Sequence, residues 1–332
     1  MRRWRKLLLP FSWIYGAIIF VRNYLFDIQF FKSAEYQFPV ICIGNLSVGG
    51  TGKTPMTEYV SQLLKDTFKT AILSRGYKRA TKGFVLATDK ATVESIGDEP
   101  FQYHNKLKDV TVAVDEDRQH GILSLKEAIN PEVIILDDAF QHRKVKAGLN
   151  ILLTMYGDLY PDDLLLPAGN LRDLKGQAKR AEIIVVTKCP SDLSKNRQVE
   201  IINKLKVAAS QKVFFATISY KEKVLSNKES ILLEELKNKN VTLVTGIANP
   251  EPLLIHLKEQ GINFDHHKFP DHHNFSTSEI EMFKTKDFIL TTEKDFVRLE
   301  KHLSNVYCLP IETKFINNKE GFDASILAFS GE

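Results

Sequence analysis

A glycine-rich turn lies between an apolar run, Val40 to Ile43, and a stretch of helical spacing: Gly44, Asn45, Leu46, Ser47, Val48, Gly49, Gly50, Thr51, Gly52, Lys53, Thr54. Glycines let backbone N–H groups approach an anion closely, and a helix N-terminus favours negative charge. Lys53 adds a mobile cation and Thr54 a hydroxyl for Mg²⁺. Ser47, Val48, Gly49, Gly50, Thr51, Gly52, Lys53 and Thr54 are therefore the candidate loop for the phosphates of ATP. The pattern G-x-x-x-x-G-K-[ST] asks for glycine where Ser47 stands, and Gly49 and Gly50 restore flexibility within the loop. A glycine turn that merely caps a helix is the competing reading; the strand before and the amphipathic stretch after weigh against it.

A second run, Val133 to Leu136, ends in Asp137 and Asp138, in the form of a Walker B strand. Buried paired carboxylates repel each other unless a cation compensates, and Mg²⁺ shared with a nucleotide and Thr54 does so. Thr54, Asp137 and Asp138 are the candidate metal ligands, although strand-end aspartates also cap helices. Gln141, His142 and Arg143 follow directly and are expected to face the nucleotide; a solvated helix start is the alternative. Phosphoryl transfer needs in-line positioning and neutralisation of the moving charge, which Lys53 and Mg²⁺ can supply; Lys53 and the metal-side Asp138 are candidate catalytic residues. Arg118 and Arg172 carry guanidinium forks that suit phosphate, or else pair with surface carboxylates.

The elements that must hold these groups show as short apolar runs: Val40 to Gly44, Thr70 to Ser74, Val110 to Val114, Val133 to Asp137, Leu149 to Thr154 and Ile183 to Thr187. Met56, Val60, Leu63 and Leu64 recur at helical spacing and predict a helix over Lys53 to Phe68. The expected fold is α/β, a P-loop NTPase-like parallel sheet with helices on both faces plus a smaller second α/β domain. A charged segment, Lys221 to Asn240, breaks the rhythm before Val241. Beyond it Leu253 to Gln260 reads as helix, and Phe288 to Thr291 and Val306 to Pro310 as strands. The expected division is 1–30, 31–222 and 223–332.

At 332 residues, two domains of roughly 100 to 200 residues each are the natural expectation. Apolar residues at 43% and charged residues at 26% exclude a mainly disordered or collagen-like chain. The net charge of +4 is small, so attraction to acidic partners must come from local clusters. No nucleic acid and no obligate protein partner is expected. Cys42, Cys189 and Cys308 stand far apart without a C-x-x-C pair, which fits a reducing compartment. The N-terminus places Arg2, Arg3, Arg5 and Lys6 before an apolar stretch, Leu7 to Val21. That stretch is shorter than the ~20 residues of a span, Pro10 interrupts it, and no small-residue cleavage site follows. With Trp4, Trp13 and Tyr15 it predicts an interfacial helix or hairpin, or else a hydrophobic helix packed on the core.

These blocks together resemble the tetraacyldisaccharide 4′-kinase family of lipid A biosynthesis. The family pattern G-N-L-S-x-G-G-x-G-K-T-P is met at Gly44 to Pro55, and D-D-x-F-Q-H-R at Asp137 to Arg143. Further similar blocks are Leu73 to Tyr77, Gly97 to Pro100, Asp117 with Arg118, Leu166 to Arg172, Asp271 to His273 and Thr292 to Asp295. Asp173 stands where the family more often has glutamate. The resemblance implies an enzyme on the cytoplasmic face of the bacterial inner membrane, held there by the N-terminal segment. It would phosphorylate the 4′-hydroxyl of a lipid-linked disaccharide with ATP and Mg²⁺, in a cleft between two α/β domains joined by strands.

With that resemblance, Asp98 and His272 are expected to form the base for the attacking hydroxyl, a carboxylate of the first domain meeting an imidazole of the second. A helix cap and a solvated loop residue are the plainer readings of the two. His266, His267, His272 and His273 lack the cysteines or H-E-x-x-H helix of a zinc site and are expected in a mobile loop at the cleft edge. Thr187 and Lys188 resemble part of a base-reading loop of GTPases, without the aspartate two residues on. A membrane-associated GTPase or ATPase switch is the other functional class the phosphate loop fits, and a binding module without catalysis is a third.

Overall fold

The structure is a computed structural model and describes residues 3–331, so Arg2 of the basic cluster lies outside the described residues. Helix α1 (Leu9–Asp27) continues a 3-10 turn over Arg3–Leu8. Pro10 falls in its first turn, where the missing N–H breaks no helical hydrogen bond, so it starts the helix rather than interrupting it. The expectation of a stretch too short to span is thereby corrected: Trp4–Asp27 is long and apolar enough to cross a membrane.

The chain then builds β1 (Val40–Asn45), α2 (Lys53–Leu64), β2 (Thr70–Ser74), β3 (Val85–Leu86), α3 (Val93–Ile96), α4 (Asp98–Lys106), β4 (Thr111–Val114) and α5 (Arg118–Ile129). β5 (Val133–Asp137), β6 (Leu149–Met155), β7 (Ile183–Thr187), α6 (Lys195–Leu205) and β8 (Lys212–Tyr220) follow. Helix α2 stops short of the expected Phe68, whose N–H closes a turn on Leu64. The strands of β1 and β5 are buried along their whole length because helices cover both faces, which is why they read as unbroken apolar runs. Alternate residues serve opposite cores: Cys42 and Leu136 face one, Ile41, Ile43 and Ile135 the other. The parallel register pairs Ile43 with Asp137, so the phosphate loop and the carboxylates emerge side by side.

A second sheet is formed by β9 (Lys223–Leu225), β10 (Ser230–Leu232), β11 (Val241–Thr245), β12 (Phe264–Lys268), β13 (Phe288–Thr292) and β14 (Val306–Leu309). Its helices are α7 (Glu251–Glu259), α8 (Thr277–Lys284) and α9 (Glu293–Leu299). His266 and His267 lie on β12, an edge strand, and not in the expected loop. The chain then returns. Strand β15 (Ile311–Phe315) pairs antiparallel with β8 as the edge of the nine-stranded first sheet, and α10 (Lys319–Gly331) packs beside α2. The segment 223–332 is therefore not one body: 311–331 completes the first unit. Two antiparallel connections, β8 to β9 and β14 to β15, join the units, with Lys221 N–H bonded to Pro310 O at 2.9 Å.

Phe322 of α10 is fully buried, 4.4 Å from the Phe315 ring and edge-on to Phe214 at 5.3 Å. Phe322→Ala is expected to cost the first unit roughly 3–5 kcal/mol, read as a fall in the urea midpoint; an unchanged midpoint would show that α10 is a dispensable tail.

Candidate active site

Gly52 caps α2 with φ +86°, a left-handed conformation that glycine adopts without strain and that turns the loop over the helix start. Asn45 Nδ2 donates to Thr51 Oγ1 at 2.7 Å, and Thr187 Oγ1 donates to the Thr51 carbonyl at 2.7 Å. The loop is also strapped to residues 164–173: Val48 N–H bonds Asn170 O at 2.8 Å and Arg172 N–H bonds Leu46 O at 2.8 Å. Ser47 forms a bridge with Leu171. Ser47 to Thr54 thus form a fixed turn at the N-terminus of α2.

Asp138 is gripped by both Arg172 nitrogens, with Nη1 at 3.1 Å from Oδ2, and Lys53 Nζ lies 3.8 Å away. Burial pushes its carboxyl up, but Lys53 and Arg172 outweigh burial and hold it below the ordinary range. Asp137 has no such partner: Ser74 and Thr57 hydroxyls reach it at 3.2 and 3.4 Å. Burial, then the Asp138 charge, raises it to about 6. Arg118 is 1% exposed and bonds the carbonyls of Asp115 and Asp137, so it supplies charge from behind the strand rather than a fork on the open cleft. It is no surface ion-pair partner, and burial lowers its guanidinium to about 10, still charged at neutral pH.

Gln141 Nε2 donates to Asn45 O at 2.8 Å, beside the phosphate loop. His142 is driven down to about 4 by burial and by Arg118, Arg75 and Arg22, so it is neutral at physiological pH. Arg143 turns away from the cleft and bonds Asn23 O at 2.9 Å and Asp27 at 2.6 Å, both on α1.

Asp98 and His272, from separate units, meet: His272 Nδ1 lies 2.8 Å from Asp98 Oδ2. Asp98 does not cap α4; Gly97 takes that position. Arg298 of α9, which the sequence reading missed, donates Nε to Asp98 Oδ1 at 3.0 Å, Nη2 to Oδ2 and Nη1 to His273 O at 2.6 Å. Lys294 Nζ sits 3.0 Å from His272 Nε2 and 2.9 Å from Asp271. Lys294 belongs to a block noted in the sequence, and Arg298 lies one helical turn on; that spacing was the available signal. Asn45 was also missed: its Oδ1 accepts from Arg172 at 2.5 Å.

A further contact between the units is Lys106, whose Nζ lies 2.6 Å from Glu58 on α2 and 2.6 Å from Glu293 on α9. Burial, then Glu293, pushes Glu58 up to about 7 despite that cation.

Loop 164–173 also receives α1. Arg5 donates to Asn170 Oδ1 at 2.7 Å, Ser12 Oγ to Leu165 O at 3.0 Å and Tyr15 OH to Arg172 O at 3.0 Å. Asn23 Nδ2 donates to the buried Asp173 at 2.8 Å. Gly16 permits this approach, since a Cβ there would lie 2.8 Å from Leu165 Cδ1. One face of the segment packs on loop 164–173, with Ser12, Asn23 and Phe26 buried, while Trp4, Phe11, Trp13, Ile14, Ile18 and Tyr24 are exposed.

The family model described as LpxK, tetraacyldisaccharide-1-P 4′-kinase, matches residues 4–330. A protein of Flavobacterium johnsoniae named tetraacyldisaccharide 4′-kinase is 50% identical, covering 99% of this chain and 98% of its own. One of Bacteroides thetaiotaomicron with the same name is 46% identical over 98% of this chain and 93% of its own. Among solved structures, LpxK from Aquifex aeolicus in complex with ATP is similar with a TM-score of 0.82 at 35% identity, covering 98% of this chain and 99% of that one. A match over nearly the whole chain, with relatives at up to 50% identity, places the protein in the tetraacyldisaccharide-1-P 4′-kinase family.

Proposed function

We propose that the chain transfers the γ-phosphate of ATP to the 4′-hydroxyl of a tetraacyldisaccharide 1-phosphate, a lipid A precursor, at the cytoplasmic face of the bacterial inner membrane. The carrying observation is the shared loop 164–173, which binds the phosphate loop on one side and the apolar helix α1 on the other. A nucleotide switch has no need to fix its phosphate site to a membrane helix; an enzyme with a lipid acceptor does. ATP as donor favours the cytoplasmic face.

Helix α1 is long enough to cross, yet a polar loop lies along it from Arg5 to Asn23. Crossing would carry that backbone into hydrocarbon, where each unsatisfied polar group costs several kcal/mol. The helix therefore lies in the interface, exposed aromatic face toward the lipid.

Asp137 is a buried carboxylate whose hydrogen-bond partners are hydroxyls, so its oxygens suit a hard divalent cation that keeps most of its ligands as phosphate and water, whereas those of Asp138 are taken by Arg172. Mg²⁺ held by Asp137 would neutralise charge on the phosphate oxygens. Lys53 and Arg172 add fixed positive charge beside the transferring group. His272, with Nδ1 directed at Asp98, presents Nε2 to the acceptor hydroxyl and takes its proton, while Asp98 orients the ring.

Incubation of the full chain with radiolabelled ATP and the disaccharide lipid in mixed micelles is expected to give labelled lipid equimolar with ADP. Lys53→Ala should lower that turnover by about 10²–10³-fold; inorganic phosphate without labelled lipid would instead support a switch. Asp98→Asn and His272→Ala should each reduce kcat by about 10²–10⁴-fold, and the double variant should be hardly worse than the weaker single. Multiplicative losses would contradict a paired base. Trp13→Ser combined with Ile18→Ser should weaken partition onto anionic vesicles by roughly 10- to 100-fold with ATP affinity retained, whereas unchanged partition would exclude this face as the membrane contact.

A further inference from the structure

We propose that Arg298 is a positioning residue for the transfer: its guanidinium fork fixes the Asp98 carboxylate so that His272 holds Nε2 toward the acceptor hydroxyl, and it does so only when the two units are together. This inference rests on the reading of Asp98 and His272 as the base pair. Asp98 and Arg298 side chains are 7% and 12% exposed, so little water competes for either. The fork engages both carboxylate oxygens, through Nε at 3.0 Å and through Nη2, which fixes the plane of the carboxylate. One direction on Oδ2 is left, and His272 Nδ1 fills it at 2.8 Å. Oδ2 is thus filled on both sides and Oδ1 keeps one direction only, which favours Nε2 of His272 as the atom that takes the proton. The remaining arm, Nη1 to His273 O at 2.6 Å, holds the backbone next to His272, whose φ is +60°. Arg298 thus fixes both members of the pair.

Lys294, one turn earlier on α9, donates to Nε2, which requires the neutral ring to carry its proton on Nδ1, the form that Asp98 selects. A hydroxyl arriving at Nε2 takes the place of the ammonium, which keeps Asp271 as partner.

The groups facing Asp98 are Arg298 and Lys294 from α9, His272 from the turn after β12, Glu94 from α3 and Glu99 beside it, with Lys301 paired to Glu94 at 3.8 Å. Burial alone raises the Asp98 carboxyl, and the hydrogen bonds from Arg298 and His272 reverse that and leave it below the ordinary range. Without Arg298, burial and Glu94 remain, so the carboxyl rises and the ionised pair is lost at a higher pH.

The test is the pH profile of lipid phosphorylation by the full chain in mixed micelles. Arg298→Ala is expected to lower kcat about 10²-fold, to leave the KM for ATP within about twofold and to move the acid limb of kcat up by about one pH unit. Arg298→Lys, which keeps the charge but not the fork, should return the limb while kcat stays about tenfold down. A loss that follows ATP affinity and thermal stability with the limb unmoved overturns the role, and so does wild-type kcat in Arg298→Ala. A fully active Asp98→Asn overturns the base pair itself, and the inference with it.

Discussion

Asp137 and Asp138 sit side by side at the buried end of one strand, and the first unit is arranged around the repulsion between them. Two carboxylates in a low dielectric cannot both ionise without compensation. The fold supplies it asymmetrically: Lys53 and Arg172 meet Asp138, while Asp137 has hydroxyl partners and feels the charges of Lys53 and, from behind the strand, Arg118. Each cation comes from a different element, so α2, α5 and loop 164–173 must all reach the carboxyl ends of the central strands β1 and β5. The parallel register of β1 with β5 and β6 meets that requirement.

The second unit answers a different need: it brings to Asp98 of the first unit the imidazole and the cations that pair with it. The imidazole arrives on the turn after β12, and α9 brings cations with it. Two strand connections keep the units close, and Lys106, clasped by Glu58 and Glu293, sets a second point of contact.

Much of the first unit was legible because buried parallel strands and an amphipathic helix leave unmistakable patterns, and because glycines and Lys53 must follow one another to cradle phosphate. The Asp98–His272 contact was legible through family blocks alone, since nothing local links residues 174 positions apart. Strand β12 was not, because Phe264, Asp265, His266, His267 and Lys268 form a half-exposed edge whose polar side chains hide its extended backbone. The return of β15 was equally hidden: a short strand says nothing of which sheet will accept it. Pro10 misled because its effect depends on position, breaking a helix interior but fitting a first turn. Arg143 and Arg298 show the same limit, as a guanidinium's partner is fixed by tertiary neighbours and not by spacing.

Asp173 is fully buried on the loop, holds Asn23, and follows Arg172, which holds Asp138. From Arg5 to Asn23 the grip runs along about 27 Å of helix at 1.5 Å per residue, so the helix is a cradle wall rather than a tether. On the proposed placement at a bilayer, a flexible leash would let the catalytic centre drift away, and each turnover would require a lipid to be lifted clear of its neighbours. A rigid flank would set a constant altitude instead, with the sugar reached at headgroup level while its acyl chains stay in the leaflet.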